Sequence, residues 1–294
     1  MLPKLALVLG GGGSRGIAHV GVLDVLTREN IPIDFIVGTS MGAIVGAYFA
    51  AGFDPQQIGE RIAELQGVGN FGMHVFSAKG RQQKMATVLA KDFDEYTFAD
   101  LQIPLVVTAV DMLSGKEIVL ENGPLIPALL ASSAVPAVFP PVEIDGMQLA
   151  DGGVIDSVAT CVAYERGYNG PDSMIVAVDV YPSLEDEDPW ADPIAEFVGF
   201  GWPFSGSETS SPGPISALWR SFRVLAWHTH QERLKQHPPT VLLRPPLGTA
   251  SSIDFTDVQG HFYAGLQEAQ KHIKEIRGLF GDALPESKQE ARAS

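Results

Sequence analysis

Cysteine is nearly absent: the 294 residues contain one, Cys161. A lone thiol makes no intramolecular disulfide, and such sparing use fits a reducing compartment. Cys161 lies in SVATCVAYERG, an apolar helix-like run, so it is expected to be a buried structural thiol. Basic residues are scarce too: 20 Lys and Arg stand against 35 Asp and Glu, a net charge of −15. That balance argues against nucleic acid as a partner and against electrostatic docking on an anionic bilayer. Any membrane contact is expected to be apolar and transient. Long apolar runs are missing as well, with none reaching the roughly 18 residues a spanning helix needs. The opening MLPKLALVLGGGG is too short for such a helix and too rich in glycine for a secretory signal. The expected location is the cytoplasm, with peripheral contact at the inner membrane face as its limit.

Strand-like and helix-like runs alternate through the rest of the chain. KLALVL (4–9) reads as a short buried strand, Gly10 to Gly13 as a glycine loop, and 15–29 as a helix. A second strand at 34–37 precedes a helix over 41–51, stopped by Gly52. Helical patterns run on to about 91. IPLVVTAVD and GKEIVLE then read as two strands joined by a Ser-Gly turn. PLIPALLASSAVPAVFPP is a helix broken by prolines. MQLAD is strand-like and leads into Gly152–Gly153, a helix near 157–166 and the buried strand SMIVAVDV. A helix over 215–236, the strand TVLLRP and a last helix near 256–279 follow. Such alternation indicates an α/β architecture with a mostly parallel central sheet. One domain over 1–280 is expected, with an inserted segment at 182–214 and a disordered tail over 281–294. The insert carries acidic residues, Pro, Gly, Ser and an aromatic island of Trp190, Phe197, Phe200, Trp202 and Phe204. The island either tucks onto the body or touches lipid through 190–204.

Two glycine-rich turns carry the chemical signal. Gly38-Thr-Ser40-Met-Gly42 fits G-x-S-x-G with a strand before it and a helix after it. The glycines allow a tight strand-to-helix turn that sets the Ser40 hydroxyl at a helix N-terminus, where negative charge is favoured. Ser40 is therefore the expected nucleophile. Gly11, Gly13 and Gly16 satisfy G-x-G-x-x-G after the first strand, which invites a dinucleotide reading. Asp34 opposes that reading, because it starts the second strand where a ribose-binding carboxylate belongs at its end. No Lys-Ser/Thr of a phosphate loop follows either. An oxyanion-binding loop of exposed N–H groups fits better, since the loop and Ser40 follow consecutive parallel strands and share one sheet edge. Arg15 either braces this loop or meets an anionic head group.

A serine nucleophile needs a base. His19 lies in a helix of small and apolar residues and suits packing. His228, His230 and His237 lie on or after a helix rich in Arg and Gln and suit a solvated face. His74 and His261 have no signature neighbours, and His272 sits in a charged helix. Asp151 ends a strand before two glycines. From the residues alone it is equally a turn former and a general base.

The ordered set Gly11-Gly-Gly-Ser-Arg-Gly16, Gly38-Thr-Ser-Met-Gly42 and Asp151-Gly-Gly153 resembles the bacterial branch of the patatin-like phospholipase family. ASSAVPAVFPPVEIDGMQLADGGVIDS also looks like that family's proline-rich approach to its aspartate, and the likeness spans roughly residues 4–180. The third motif ends in Gly153, where many relatives carry alanine. The resemblance implies a three-layer α/β/α sandwich and a Ser–Asp dyad without catalytic histidine. Ser40 would be the nucleophile and Asp151 its base. Gly11, Gly12, Gly13 and Arg15 would form the oxyanion loop, with Met41 N–H a further donor and Gly16, Gly38, Gly42, Gly152 and Gly153 the motif glycines. It also implies hydrolysis of lipid acyl esters with no metal and no cofactor. An acyltransferase using the same dyad, a Ser-His-Asp esterase and a binding protein that has lost turnover are the competing readings.

Overall fold

The computed structural model describes residues 2–69, 78–187, 214–252, 254–281 and 284. His74, the aromatic island and most of the expected insert and tail lie outside them.

Eight strands form one mixed sheet: β1 (Lys4–Leu9), β2 (Phe35–Thr39), β3 (Leu105–Asp111), β4 (Glu117–Leu120), β5 (Val142–Ile144), β6 (Met147–Asp151), β7 (Ser173–Val178) and β8 (Val241–Leu243). β3, β2, β1, β7 and β8 run parallel in that spatial order, while β4 and β6 pair antiparallel with β3 and β5 pairs antiparallel with β6 at the edge. Eight α-helices are described: α1 (Ala18–Arg28), α2 (Met41–Ala50), α3 (Pro55–Gly69), α4 (Ala78–Phe93), α5 (Leu125–Ser132), α6 (Thr160–Glu165), α7 (Pro214–Gln236) and α8 (Val258–Phe280).

The period of two along β1 separates the layers. Leu5, Leu7 and Leu9 pack against residues of α1 to α5 and α8, whereas Ala6 and Val8 face Val162, Ala163 and Leu234 of α6 and α7. Both faces of the central strands are covered, which is why they read as continuous apolar runs. Helices on both faces of a largely parallel sheet make this an α/β fold.

Several boundaries differ from the sequence expectation. The helix expected over 15–29 begins as a 3₁₀ turn, Gly13–Ile17, and becomes α-helical at Ala18. β5 was not anticipated. It pairs antiparallel with β6 across Asp145 and Gly146, both at positive φ, which is the Asp-Gly hairpin signature.

The edge of β3 positions the site. β4 pairs with residues 107–110 of β3, so β2 and β6, whose pairings overlap β4's, share the opposite edge. Thr108 of β3 partners Thr39, and the next residue, Ala109, partners Asp151. β2 and β6 therefore meet end to end along one strand.

Candidate active site

Ser40 follows the last residue of β2 and precedes the first of α2. Its backbone sits at φ 54, ψ −123, a conformation that costs on the order of 1–3 kcal/mol and persists only where its surroundings fix it. They do so closely. The Ser40 N–H donates to Ser132 Oγ at 2.8 Å, and the Ser40 carbonyl accepts from Ala43 and Ile44. A Cβ at Gly42 would stand 2.1 Å from the Leu9 carbonyl oxygen, so only glycine lets α2 start this close to β1.

Asp151 arrives on β6. Its N–H donates to the Ala134 carbonyl and its Oδ1 accepts from Gly153 N–H at 2.7 Å, and the Ser40 hydroxyl lies close enough to favour the ionised carboxyl. Burial raises the carboxyl from its ordinary 3.8 to about 6, against the opposing pull of the nearby Ser40 hydroxyl and the Gly153 N–H. At neutral pH it is a carboxylate held against the serine hydroxyl. Gly152 permits the approach, since a Cβ there would lie 2.6 Å from Thr108 Oγ1 and 2.8 Å from its carbonyl oxygen.

The glycine loop passes beside this pair: a Cβ at Gly11 would meet Ser40 Cβ at 3.2 Å. The Gly11 N–H is committed to the Ser157 carbonyl at 2.9 Å. Among the described residues the N–H groups of Gly12, Gly13 and Met41 have no such partner, and all three residues line the cavity in front of Ser40. Arg15 is buried and points elsewhere. Its Nε donates to the Val180 carbonyl at 2.8 Å, and Nη1 donates to those of Gly248 and Ala250 at 2.9 Å. Its side chain thus ties the residue to the segment after β7 and to the 248–250 turn.

Ser40, Asp151 and the loop line a cavity of about 690 Å³. Ile44, Leu65, Met85, Val138 and Phe139 supply an apolar wall, and Asp186, Glu187, Arg220 and Arg223 a charged one. Arg223 and Arg220 both pair with Glu187, which joins α7 to the segment after β7.

The histidines take other positions. His19 is fully buried, bonds the Gly10 carbonyl through Nε2 at 2.7 Å, and is pushed down to about 4 by burial. His230 corrects the solvated-face expectation: it is buried, with Nε2 3.1 Å from Asp179 Oδ2. His261 is also buried, while His228 is exposed. Among the described residues no histidine bonds Ser40. Cys161 is half-buried rather than buried, beside Asp156 and Arg233, and burial together with the carboxylates of Asp156 and Glu117 pushes its thiol up to about 12 against the opposing charge of Arg233. With Glu117 and Asp156 it forms a cluster of metal-ligand type, but Arg233 bonds both carboxylates and supplies the countercharge. Among the described residues no helix is long and apolar enough to cross a membrane.

A model of the patatin-like phospholipase family matches residues 7–164, more than half of the chain and a range that holds Ser40, Asp151 and the glycine loop. The chain is 38% identical over 157 residues to an uncharacterized NTE family protein of Mycobacterium bovis, covering 52% of this chain and 44% of that protein. It is 28% identical over 285 residues to lysophospholipase NTE1 of Kluyveromyces lactis, covering 93% of this chain and 19% of that protein. The chain thus spans less than half the length of the first relative and about a fifth of the second. Among solved structures, VipD from Legionella pneumophila superposes with a TM-score of 0.53 at 11% identity, covering 95% of this chain and 67% of that one. That likeness is one of fold.

Proposed function

The chain belongs to the patatin-like phospholipase family, and on that premise we propose that it is a serine hydrolase of lipid acyl esters, working through an acyl-enzyme on Ser40 with Asp151 as general base. The observation that carries this is the placement of the Ser40 hydroxyl beside the buried Asp151 carboxyl, whose ionised form it favours, with both residues lining a large and partly apolar cavity. A base that titrates near 6 is ionised at neutral pH yet basic enough to share the proton in the transition state.

In the first step the Ser40 Oγ attacks the ester carbonyl and its proton passes to Asp151. The oxyanion so formed is received by the free N–H groups of Gly12 and Gly13, with Met41 N–H at the head of α2 as a further donor. Gly11 contributes close approach to Ser40 rather than a donor. The tetrahedral intermediate collapses and the alcohol leaves with the proton from Asp151. Water then attacks the acyl-enzyme, giving its proton to Asp151, which returns it to Ser40 as the acid departs. No step calls for a metal or cofactor.

The apolar wall suits an acyl chain, and the charged wall suits the polar end of a phospholipid or lysophospholipid. The Ser-His-Asp reading has less support, because His19 and His230 are engaged with Gly10 and Asp179. Reaction with a fluorophosphonate probe tests the nucleophile: mass mapping should find the adduct on Ser40, and an adduct elsewhere would overturn the assignment.

A further inference from the structure

The glycine loop has little stiffness of its own, because glycine tolerates most backbone angles. An oxyanion donor must nevertheless point one way before substrate arrives. Each peptide of the loop therefore needs an external hold, and the structure supplies them one by one. The Gly10 carbonyl is taken by His19 Nε2 at 2.7 Å, and the Gly12 carbonyl by Arg15 N–H at 3.2 Å. The peptide between Gly11 and Gly12 has a single side-chain hold among the described residues: Ser157 Oγ donates to the Gly11 carbonyl at 3.1 Å.

Ser157 is almost completely buried. It grips Gly11 twice, since its own carbonyl accepts the Gly11 N–H at 2.9 Å. A trans peptide is planar, so the Gly11 C=O and the Gly12 N–H belong to one rigid unit and point in opposite directions. Holding the carbonyl toward Ser157 turns the Gly12 N–H away from it. Gly12 lines the cavity, and its N–H has no partner among the described residues.

We propose that Ser157 is a positioning residue of this site, whose hydroxyl sets the direction of the Gly12 N–H that receives the oxyanion; this rests on the acyl-hydrolase reading above. Ser157 acts through Gly12 and takes no proton from the reaction. It also joins the segment that carries Asp151 to the loop, so base and oxyanion donor are held in one frame.

The test compares wild type, Ser157→Ala and Ser157→Cys, the last keeping a weak donor. Three quantities are read: kcat and KM on a soluble p-nitrophenyl ester, the rate of fluorophosphonate labelling at Ser40, and the Kd of a long-chain alkyl ether that has no carbonyl. Losing a whole oxyanion donor costs about 10²–10³ in turnover. A misdirected donor should therefore lower kcat and the labelling rate together by about tenfold or more in Ser157→Ala. KM and ether binding should stay within about twofold, and Ser157→Cys should recover part of the loss. Unchanged kcat in Ser157→Ala overturns the proposal. So does a parallel loss of kcat, ether binding and melting temperature, which would make Ser157 merely structural. If wild type neither hydrolyses the ester nor labels at Ser40, the acyl-hydrolase reading itself fails. A labelled, active wild type beside an equally active Ser157→Ala removes only the role of Ser157.

Discussion

Ser40 and Asp151 are brought together where the end of β2 meets the end of β6 on one edge of β3, so that the Ser40 hydroxyl acts on the Asp151 carboxyl. Burial of that carboxyl raises it to about 6. A general base works only when ionised, so under the proposed mechanism kcat/KM should fall tenfold per pH unit well below 6 and level off above it. A pH profile on a soluble ester checks this. A flat profile from pH 5 to 8 would separate activity from Asp151.

The same shift has a stability consequence of the opposite sense. The folded carboxyl, at about 6, binds its proton more tightly than an unfolded aspartate near 3.8. The fold gains nothing from ionising it, and stability drops as pH rises through about 6. Above that the cost is up to about 3 kcal/mol. Asp151→Asn removes this cost while keeping the shape. The variant should melt at higher temperature than wild type at pH 8, the two should converge near pH 4, and the variant should be inactive. Equal melting temperatures at both pH values would contradict the buried-charge account.

Gly12 tests the loop. A Cβ there would lie 2.8 Å from Val180 Cγ2 and 3.0 Å from the Val180 carbonyl oxygen, so Gly12→Val has to displace the loop. Turnover should fall by about 10²–10³. Wild-type kcat in that variant would remove the loop from the chemistry.

Histidine substitutions test the dyad from the other side. Alanine at His228, His230, His237, His261 or His272 should leave ester hydrolysis measurable. His230→Ala should instead cost about 1–3 kcal/mol of stability, because it strips a partner from the buried Asp179. Although burial opposes it, the His230 hydrogen bond and the charges of His230 and Arg244 hold the Asp179 carboxyl below its ordinary value. That contribution is present above about pH 4 and is lost in acid. One histidine whose loss abolishes hydrolysis would restore the Ser-His-Asp reading.

The sequence made the Ser40 turn and the parallel core legible because both are local. Short apolar runs, glycine spacing and helix stops lie within a few residues of one another. The β5–β6 hairpin was equally local, flagged by Asp145-Gly146, but its first strand is only Val142–Ile144 and half exposed. What was not legible depends on contacts distant in the chain. Arg15 is braced by carbonyls of Val180, Gly248 and Ala250, and nothing near Arg15 announces them. His230 sits among polar helix residues and is buried only because Asp179, at the end of β7, lies opposite it. Gly11, Gly12 and Gly13 looked equivalent as donors. Only the placement of Ser157 shows that Gly11 has already given its N–H away.

The most direct test of the Ser40–Asp151 pair is hydrolysis of p-nitrophenyl esters of increasing chain length and of a phosphatidylcholine, in EDTA, by wild type, Ser40→Ala and Asp151→Asn. The account predicts activity in wild type that survives EDTA, rises with chain length as the apolar wall fills, and disappears in both variants. Hydrolysis that persists in Asp151→Asn, or that EDTA abolishes in wild type, would contradict it.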